Sequence, residues 1–212
     1  MALKMIAACG VLLASSMATA ATLELPKDTH IMALNGKEVE KEALQSLSVG
    51  SNQFVVEFIA NLDDGKEKRL LNSKPYIFEV DIKSSSDKLE LSHKHFFNYS
   101  HAENAFKNDD VDWKIETNGR SKSVDVELLP GKEGFFPYGD IEQVIRDYNV
   151  SQGVILSTAD NGTGVVKEAA VTVSETGKVE ISGDATTQLK LWYSKATKAE
   201  RKEFRKWMID QE

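Results

Sequence analysis

The sequence has a single cysteine, only four prolines and no long apolar run after its first twenty residues. Cys9 lies in that amino-terminal segment, so the rest of the chain has neither a disulfide framework nor a thiol nucleophile. No later stretch reaches the roughly 20 apolar residues that a membrane-spanning helix needs. We therefore expect an ordinary hydrophobic core and no membrane insertion.

Catalytic and nucleotide-binding signatures are also missing. No Gly-x-Ser-x-Gly elbow occurs, and none of the four Gly-Lys pairs has the spacing of a phosphate-binding loop. The acidic segments 109–112 and 160–164 lack the glycine and glutamate positions of a calcium loop. The sequence predicts a non-enzymatic protein without a cofactor, although two of its 33 acidic residues meeting in a cleft would permit a hydrolase.

Residues 1–20 have the features of a cleavable signal peptide. Lys4 supplies a positive charge, an uncharged apolar run follows, and Ala18 with Ala20 places small side chains where signal peptidase reads them. We expect cleavage after Ala20 or Ala21 and export to the periplasm.

The charge of the mature chain is negative but uneven. Removal of residues 1–20 takes away only Lys4, which leaves 25 basic against 33 acidic residues and a net charge of −8. This balance argues against unspecific binding to nucleic acids or to anionic membranes, because neutralisation of phosphates supplies that affinity. Residues 190–206 differ, with seven Lys or Arg against two Glu. A solvated face is the ordinary explanation of such a run, and an acidic partner is the alternative.

Alternating apolar and polar residues, separated by turn dipeptides, predict an α+β fold with mainly antiparallel β structure. Asn35-Gly36 and Asn118-Gly119 are strong hairpin signals, because both residue types tolerate positive φ. Residues 53–60 are apolar at most positions, as in a strand buried on both faces. We expect a hairpin-rich sheet or sandwich in a single mature globular region, 21–212: β-rich over 22–92, mixed over 93–185 and helical over 186–212.

Helical spacing is confined to short segments. One helix is expected over 100–108, and a second over 140–148, with Asp140 as its cap. Two further helices close the chain, the last beginning at the capping box Thr197-Lys198-Ala199-Glu200. We expect this helix pair to pack its aromatic side on the sheet and to leave its basic side in water.

The stretch 89–101 holds three of the four histidines and raises the question of a metal site. His93 and His95 share a face in an extended segment, which lets two imidazoles meet one ion, and His101 would be a third ligand if the chain turned back. No cysteine and no His-Glu-x-x-His spacing supports them. Histidines that face solvent or are satisfied in the core are the simpler interpretation.

The segment 134–139 concentrates aromatic residues between two glycines. Phe135, Phe136 and Tyr138 would form a partner-binding patch if they were exposed, since loops carry function and aromatic residues anchor interfaces. They would otherwise plug one end of the sheet, which the avoidance of exposed apolar surface favours.

Both ends of the mature chain carry a family resemblance. The carboxy end has Leu189-Lys190-Leu191-Trp192-Tyr193 followed by Ala196, Arg201, Phe204 and Trp207; the amino end has 21–26, then 34–37 and 75–78. These segments resemble a family of exported, uncharacterised proteins of Gram-negative bacteria that includes the periplasmic curli assembly inhibitor. The resemblance provides no catalytic residues.

The resemblance implies a chaperone-like protein that binds or inhibits exported amyloid subunits of the curli type. Pairing of an open sheet edge with an amyloidogenic segment is a physical route to that role. The alternatives are a periplasmic metal-binding protein using His93, His95 and His101, and a hydrolase with paired carboxylates.

Overall fold

The computed structural model describes residues 20–158, 165–169, 171–173, 179–181, 185–209 and 211. Within them the predicted α+β class, with mainly antiparallel sheets and a few short helices, is confirmed. The expected signal peptide lies outside the described residues except for Ala20, and it stays a prediction.

The strands are β1 (Thr22–Glu24), β2 (Thr29–Leu34), β3 (Lys37–Glu38), β4 (Gly50–Asp64), β5 (Glu67–Asn72), β6 (Tyr76–Ile82), β7 (Lys88–Ser92), β8 (Lys114–Thr117), β9 (Arg120–Ser123), β10 (Val126–Leu128), β11 (Val154–Thr158), β12 (Val165–Ala169), β13 (Val171–Val173) and β14 (Val179–Ile181). The helices are α1 (Tyr99–Lys107), α2 (Ile141–Ser151), α3 (Ala185–Lys195) and α4 (Lys198–Ile209), with a 3-10 turn at Lys41–Gln45.

Two sheets dominate the described part of the chain. The large sheet has the strand order β10-β6-β4-β2-β3, and β5 pairs with the far half of the long strand β4. The small sheet has the order β1-β7-β8-β9, in which β1 and β7 are parallel and the other pairs antiparallel. Two antiparallel pairs, β11 with β12 and β13 with β14, follow.

The large sheet is buried on both faces, as the apolar run 53–60 predicted. One face, with Phe54 and Phe58, packs in a single cluster with Leu89 and Leu91 of the small sheet and with α1. The opposite face packs against α2 in a second, smaller cluster. Burial of apolar surface in these two layers, at about 25 cal/mol per Å², is the main term holding the sheets together.

Local sequence signals fix the turns and the helix starts. Asn35 and Asn118 have φ of 52° and 51°, and each is followed by a glycine at positive φ, as a two-residue hairpin requires. Asp140 caps α2 by accepting the main-chain N–H of Gln143. The predicted capping box is also present, since Thr197 N–H donates to the Glu200 carboxylate and Glu200 N–H donates to the Thr197 hydroxyl.

The carboxy-terminal helices differ from expectation in one respect. α3 contacts α2 and β11, but Leu189, Trp192 and Trp207 are each more than half exposed. The expectation that the sheet covers the aromatic side of the pair is therefore wrong for these side chains. In the part of the chain that the structure describes, no helix is long and apolar enough to cross a membrane.

Candidate functional site

A groove lies between open edges of the two sheets. β10 pairs only with Tyr76–Phe78, so the later part of β6 borders a cavity of about 890 Å³ together with β9. Val80, Ile115 and Val124 give the cavity apolar lining. Charged side chains of both signs complete it: Glu79, Asp81, Lys83, Asp87, Arg120, Lys122 and Asp125. We call this cavity the edge groove.

The strand registers direct main-chain groups toward this groove. In a hairpin with a two-residue turn, the two residues that flank the turn exchange main-chain hydrogen bonds, and in the next residue pair the main-chain groups point away from the partner strand. Ser121 and Ser123 belong to pairs of the second kind, so their N–H and C=O groups point away from β8. In β6 the hydrogen bond from Leu129 N–H to Pro75 C=O, at 2.9 Å, sets the same alternation. The same alternation along β6 makes the main-chain N–H and C=O groups of Asp81 point away from β4.

One end of the edge groove is tied by a hydrogen-bond network. Asn118 Nδ2 donates to Asp87 Oδ1 at 2.9 Å, and Asn118 Oδ1 accepts from Lys88 N–H at 3.0 Å. Asp87 Oδ2 accepts the main-chain N–H groups of Lys83 and Ser84. The hydrogen bond from Asn118 lowers the pKa of Asp87, so this carboxyl stays ionised. The network joins the turn before β7 to the turn between β8 and β9.

A second cavity, of about 360 Å³, adjoins the edge groove and shares Glu79 and Asp125 with it. At its base Gln53 and Asn149 exchange two hydrogen bonds, of 2.8 and 3.0 Å, and both residues are buried. We call it the amide cleft. The reciprocal pair joins β4 to α2 and satisfies two amides that would be costly to bury alone.

The amide cleft also gathers three carboxylates, Glu79, Asp125 and Glu127. The Tyr148 hydroxyl donates to Glu127 Oε2 at 2.7 Å. Burial, this hydrogen bond and the neighbouring negative charges raise the pKa of Tyr148, so the phenol keeps its proton at neutral pH. The cleft offers hydrogen-bond acceptors and negative charge, which is the arrangement that the hydrolase alternative with paired carboxylates requires.

The three candidate histidines lie in different surroundings. His93 is nearly buried, whereas His95 is exposed and contacts Phe97 edge-on. His101, in α1, stacks on the Phe97 ring and accepts the Phe97 main-chain N–H at Nδ1. Within the described residues, no group of three or more His, Cys, Asp or Glu side chains is arranged to hold a metal ion.

His93 instead forms an internal ion pair. Its Nε2 lies 3.0 Å from Asp28 Oδ1, and its Nδ1 donates to the Lys94 carbonyl at 2.8 Å. Both partners are acceptors, so both ring nitrogens carry a proton and the imidazole is positive. Burial opposes the charge, but the hydrogen bonds to Asp28 and Lys94 outweigh it and raise the pKa of His93. For Asp28 too, burial is outweighed by the bond with His93, and its pKa is lowered.

The aromatic segment 134–139 divides into an exposed and a covered part. Phe135 and Phe136 are 95% and 81% exposed, so the interpretation that they plug the sheet is wrong. Tyr138 is half-buried: its hydroxyl donates to the Leu129 carbonyl at 3.0 Å, and its ring packs against the cluster under α2. The covered tyrosine anchors a loop that presents two phenylalanines to solvent.

This loop is closed by its own backbone. Lys132 N–H donates to the Pro137 carbonyl at 3.0 Å. A Cβ atom at Gly131 would lie 2.7 Å from Pro137 Cβ and 3.0 Å from the Tyr138 ring, so only glycine fits there without a shift. The two phenylalanines therefore sit at the tip of a constrained turn.

Comparison with known proteins places the chain among uncharacterised bacterial proteins. A family described as "Uncharacterized protein conserved in bacteria (DUF2057)" matches residues 22–207. The chain belongs to this family. The DUF2057 region includes both cavities, the histidines, the aromatic loop and most of α4.

Relatives named UPF0319 proteins match over nearly their whole length. One from Vibrio vulnificus (strain CMCP6) is 35% identical over 199 residues, covering 91% of this chain and 92% of the relative. One from Vibrio cholerae is 28% identical over 210 residues, covering 90% and 89%, and one from Glaesserella parasuis is 27% identical over 218 residues, covering 96% of each. No solved structure matches the chain.

Sequence reasoning missed the two cavities and the ion pair of His93, because contacts between residues distant in sequence create them. Gln53 and Asn149 lie 96 positions apart, and Asp28 and His93 lie 65 apart. No local pattern marks either pair. The one available signal was polar residues in apolar runs, such as Gln53 at the start of a strand buried on both faces.

Proposed function

We propose that the mature chain is a non-enzymatic periplasmic protein that binds extended segments of exported polypeptides, with curli-type amyloid subunits as the substrate class. The observation that carries the proposal is the edge groove, in which β6 and β9 direct main-chain groups toward one cavity with an apolar lining. Main-chain hydrogen bonds supply affinity in strand addition, and neighbouring side-chain pockets supply selectivity.

The position of the groove between two edges suits an inhibitor of amyloid assembly. A segment added outside a single edge strand leaves its own second edge open to the next subunit. A segment held between β6 and β9 has both edges covered and cannot act as a template. Charged side chains on both rims, such as Asp81 and Lys122, oppose the approach of a further strand.

The residues that follow the expected cleavage site are consistent with export. Ala21 is fully buried, and its carbonyl accepts the Leu47 main-chain N–H at 2.8 Å. β1 begins at the next residue. The chain that would remain after cleavage thus belongs to the fold from its first residues, and the resemblance to a family with a periplasmic inhibitor points to the same compartment.

The test is the assembly lag of a purified curli-type subunit, followed by amyloid dye fluorescence, with substoichiometric mature protein, residues 21–212. We expect a longer lag. Ser121→Pro removes an outward main-chain donor from β9, and about 5–10-fold more protein should then be needed, since a main-chain hydrogen bond contributes about 1 kcal/mol. Proline is tolerated at such a position on an edge strand.

Lys68→Pro is the matched control. Lys68 is the second strand residue after the turn that joins β4 and β5, as Ser121 is after the turn that joins β8 and β9, and by register it also faces away from its partner strand. This variant should inhibit like the unmodified protein. Unchanged kinetics up to equimolar unmodified protein, or an equal loss in both proline variants, would contradict the proposal.

The exposed Phe135 and Phe136, anchored by Tyr138, are proposed as a second contact with the same partner. Replacing both phenylalanines with serine should change the free energy of unfolding by less than about 0.5 kcal/mol, because the side chains touch little of the protein. Inhibition should weaken about 5-fold or more, as for aromatic residues that anchor interfaces. Full inhibition by the double variant would show that the loop is not part of the binding surface.

A further inference from the structure

The helices α3 and α4 carry an apolar surface that we call the helix-pair face. Leu189, Trp192 and Trp207 are each more than half exposed. Phe204 joins the two helices, since its ring centroid lies 6.5 Å from that of Tyr193 and 5.6 Å from that of Trp207. Leu189, Trp192, Tyr193 and Phe204 also line a cavity of about 430 Å³ between the helices.

This face combines apolar bulk with the side chains that favour a membrane–water interface. Tryptophan and tyrosine have an apolar body and a polar handle, and they are enriched where lipid headgroups meet water. Soluble proteins rarely expose a contiguous apolar patch of this kind unless it binds something. The helix-pair face therefore needs an occupant that accepts aromatic rings at its surface.

Charge identifies that occupant as anionic. Lys198, Lys202 and Lys206 recur every four residues on one side of α4 and are exposed, whereas Phe204, Trp207 and Met208 lie on the other side. Residues 190–206 carry a net charge of +5 within a mature chain of −8, so the remainder carries −13. A second copy on this face would bring two basic helices together, which disfavours a symmetric dimer.

We propose that the helix-pair face is a peripheral binding site for anionic lipid surfaces. α4 lies in the interface plane, with its aromatic residues among the headgroups and its lysines on the water-facing side, where they attract the anionic surface over a Debye length of about 8–10 Å. The acidic remainder of the chain is repelled by the same surface and turns away from it. The protein is thereby held on a membrane face without crossing the bilayer.

Tryptophan fluorescence of the mature protein reports this contact selectively. The chain has three tryptophans, and Trp113 is buried in the core, so a change on adding vesicles comes from Trp192 and Trp207. With vesicles of phosphatidylglycerol and phosphatidylcholine in equal parts, we expect a blue shift and protection from acrylamide. Phosphatidylcholine alone should give little change, and added salt should weaken binding to the mixed vesicles.

Charge variants assign the binding to α4. Lys202→Gln with Lys206→Gln should weaken binding to the mixed vesicles about 30-fold, because each basic side chain near an anionic surface contributes about 1 kcal/mol. Lys66→Gln with Lys68→Gln is the matched control and should bind normally, because these exposed lysines lie in the turn before β5 and at the start of that strand. Circular dichroism verifies that both double variants are folded.

Four results would overturn the proposal. The first is no spectral change with the mixed vesicles at low salt, and the second is equal binding to neutral vesicles. The third is the same blue shift without lipid as protein concentration rises, which would make a second copy the occupant. Loss of vesicle binding in the Phe135→Ser, Phe136→Ser variant but not in the lysine variant would equally reject the helix-pair face.

Discussion

Replacing Phe58 with alanine should lower the free energy of unfolding by about 3–5 kcal/mol, the range for removing a large buried aromatic side chain. Phe58 is fully buried in β4. Its ring centroid lies 4.9 Å from Phe106, 5.4 Å from His93 and 5.5 Å from Phe96. The substitution leaves a cavity where the large sheet, the loop after β7 and α1 meet. Since small domains are stable by only about 5–15 kcal/mol, this is a large fraction of the total.

Urea unfolding followed by circular dichroism measures this effect as a shift of the midpoint. Phe97→Ala is the control, because Phe97 belongs to the same stretch of chain but is largely exposed, and it should change stability by less than about 0.5 kcal/mol. A loss below about 1 kcal/mol for Phe58→Ala would mean that this junction is not the core of the fold.

Replacing His93 with phenylalanine should cost about 2–3 kcal/mol near pH 6, the second of the large effects. Phenylalanine retains the stacking on Phe96, at a centroid distance of 5.3 Å. It removes the hydrogen bonds to Asp28 and Lys94, and a hydrogen bond of a charged group contributes about 1.5–3 kcal/mol. Chemical denaturation of both proteins across a pH series measures the difference.

The pH dependence of this difference has a definite sign. The pKa of His93 is raised, so its contribution is fully present below about pH 6.5 and is lost as the pH rises through the higher folded-state pKa. The pKa of Asp28 is lowered, so its contribution is present above about pH 3.9 and is lost as the pH falls through the lower folded-state value. The pair therefore stabilises the fold most between about pH 4 and 6.5.

Asp28→Asn separates charge from packing. Asparagine still accepts a hydrogen bond from His93 Nε2 but provides no negative charge, so the NMR-monitored pKa of His93 should fall relative to the unmodified protein. A His93 pKa that does not move, or a loss of stability in His93→Phe that is constant from pH 5 to 8, would show that the ion pair adds nothing.

Local chemistry made much of the fold predictable. The Asn-Gly turns, the caps of α2 and α4 and the apolar strand at 53–60 each depend on residues within a few positions, and the structure has all of them. The parallel pairing of β1 with β7 joins Thr22 to Lys88, and nothing near either residue specifies it. Such contacts depend on which apolar faces pack together. The alternation of apolar and polar residues along a single strand does not determine this.

The candidate sites were less predictable for the same reason. His93 resembled a metal ligand until its partner Asp28, distant in sequence, was located. Phe135 and Phe136 resembled a plug because exposed apolar residues are avoided, but the backbone bond between Lys132 and Pro137 turns the loop tip outward. No sequence pattern marks the edge groove, since it arises because β10 begins opposite Phe78 whereas β6 continues to Ile82.

The most direct test of the central claim is amide hydrogen exchange of the mature protein with and without a curli-type subunit held monomeric. Strand addition in the edge groove predicts slower exchange at Ser121, Ser123 and Asp81, whose main-chain groups face the groove by register. Lys68 and Leu70, on the outer edge of β5, should exchange as before. Protection on β5 with none on β9, or no protection at either edge while the subunit is bound, would contradict the account.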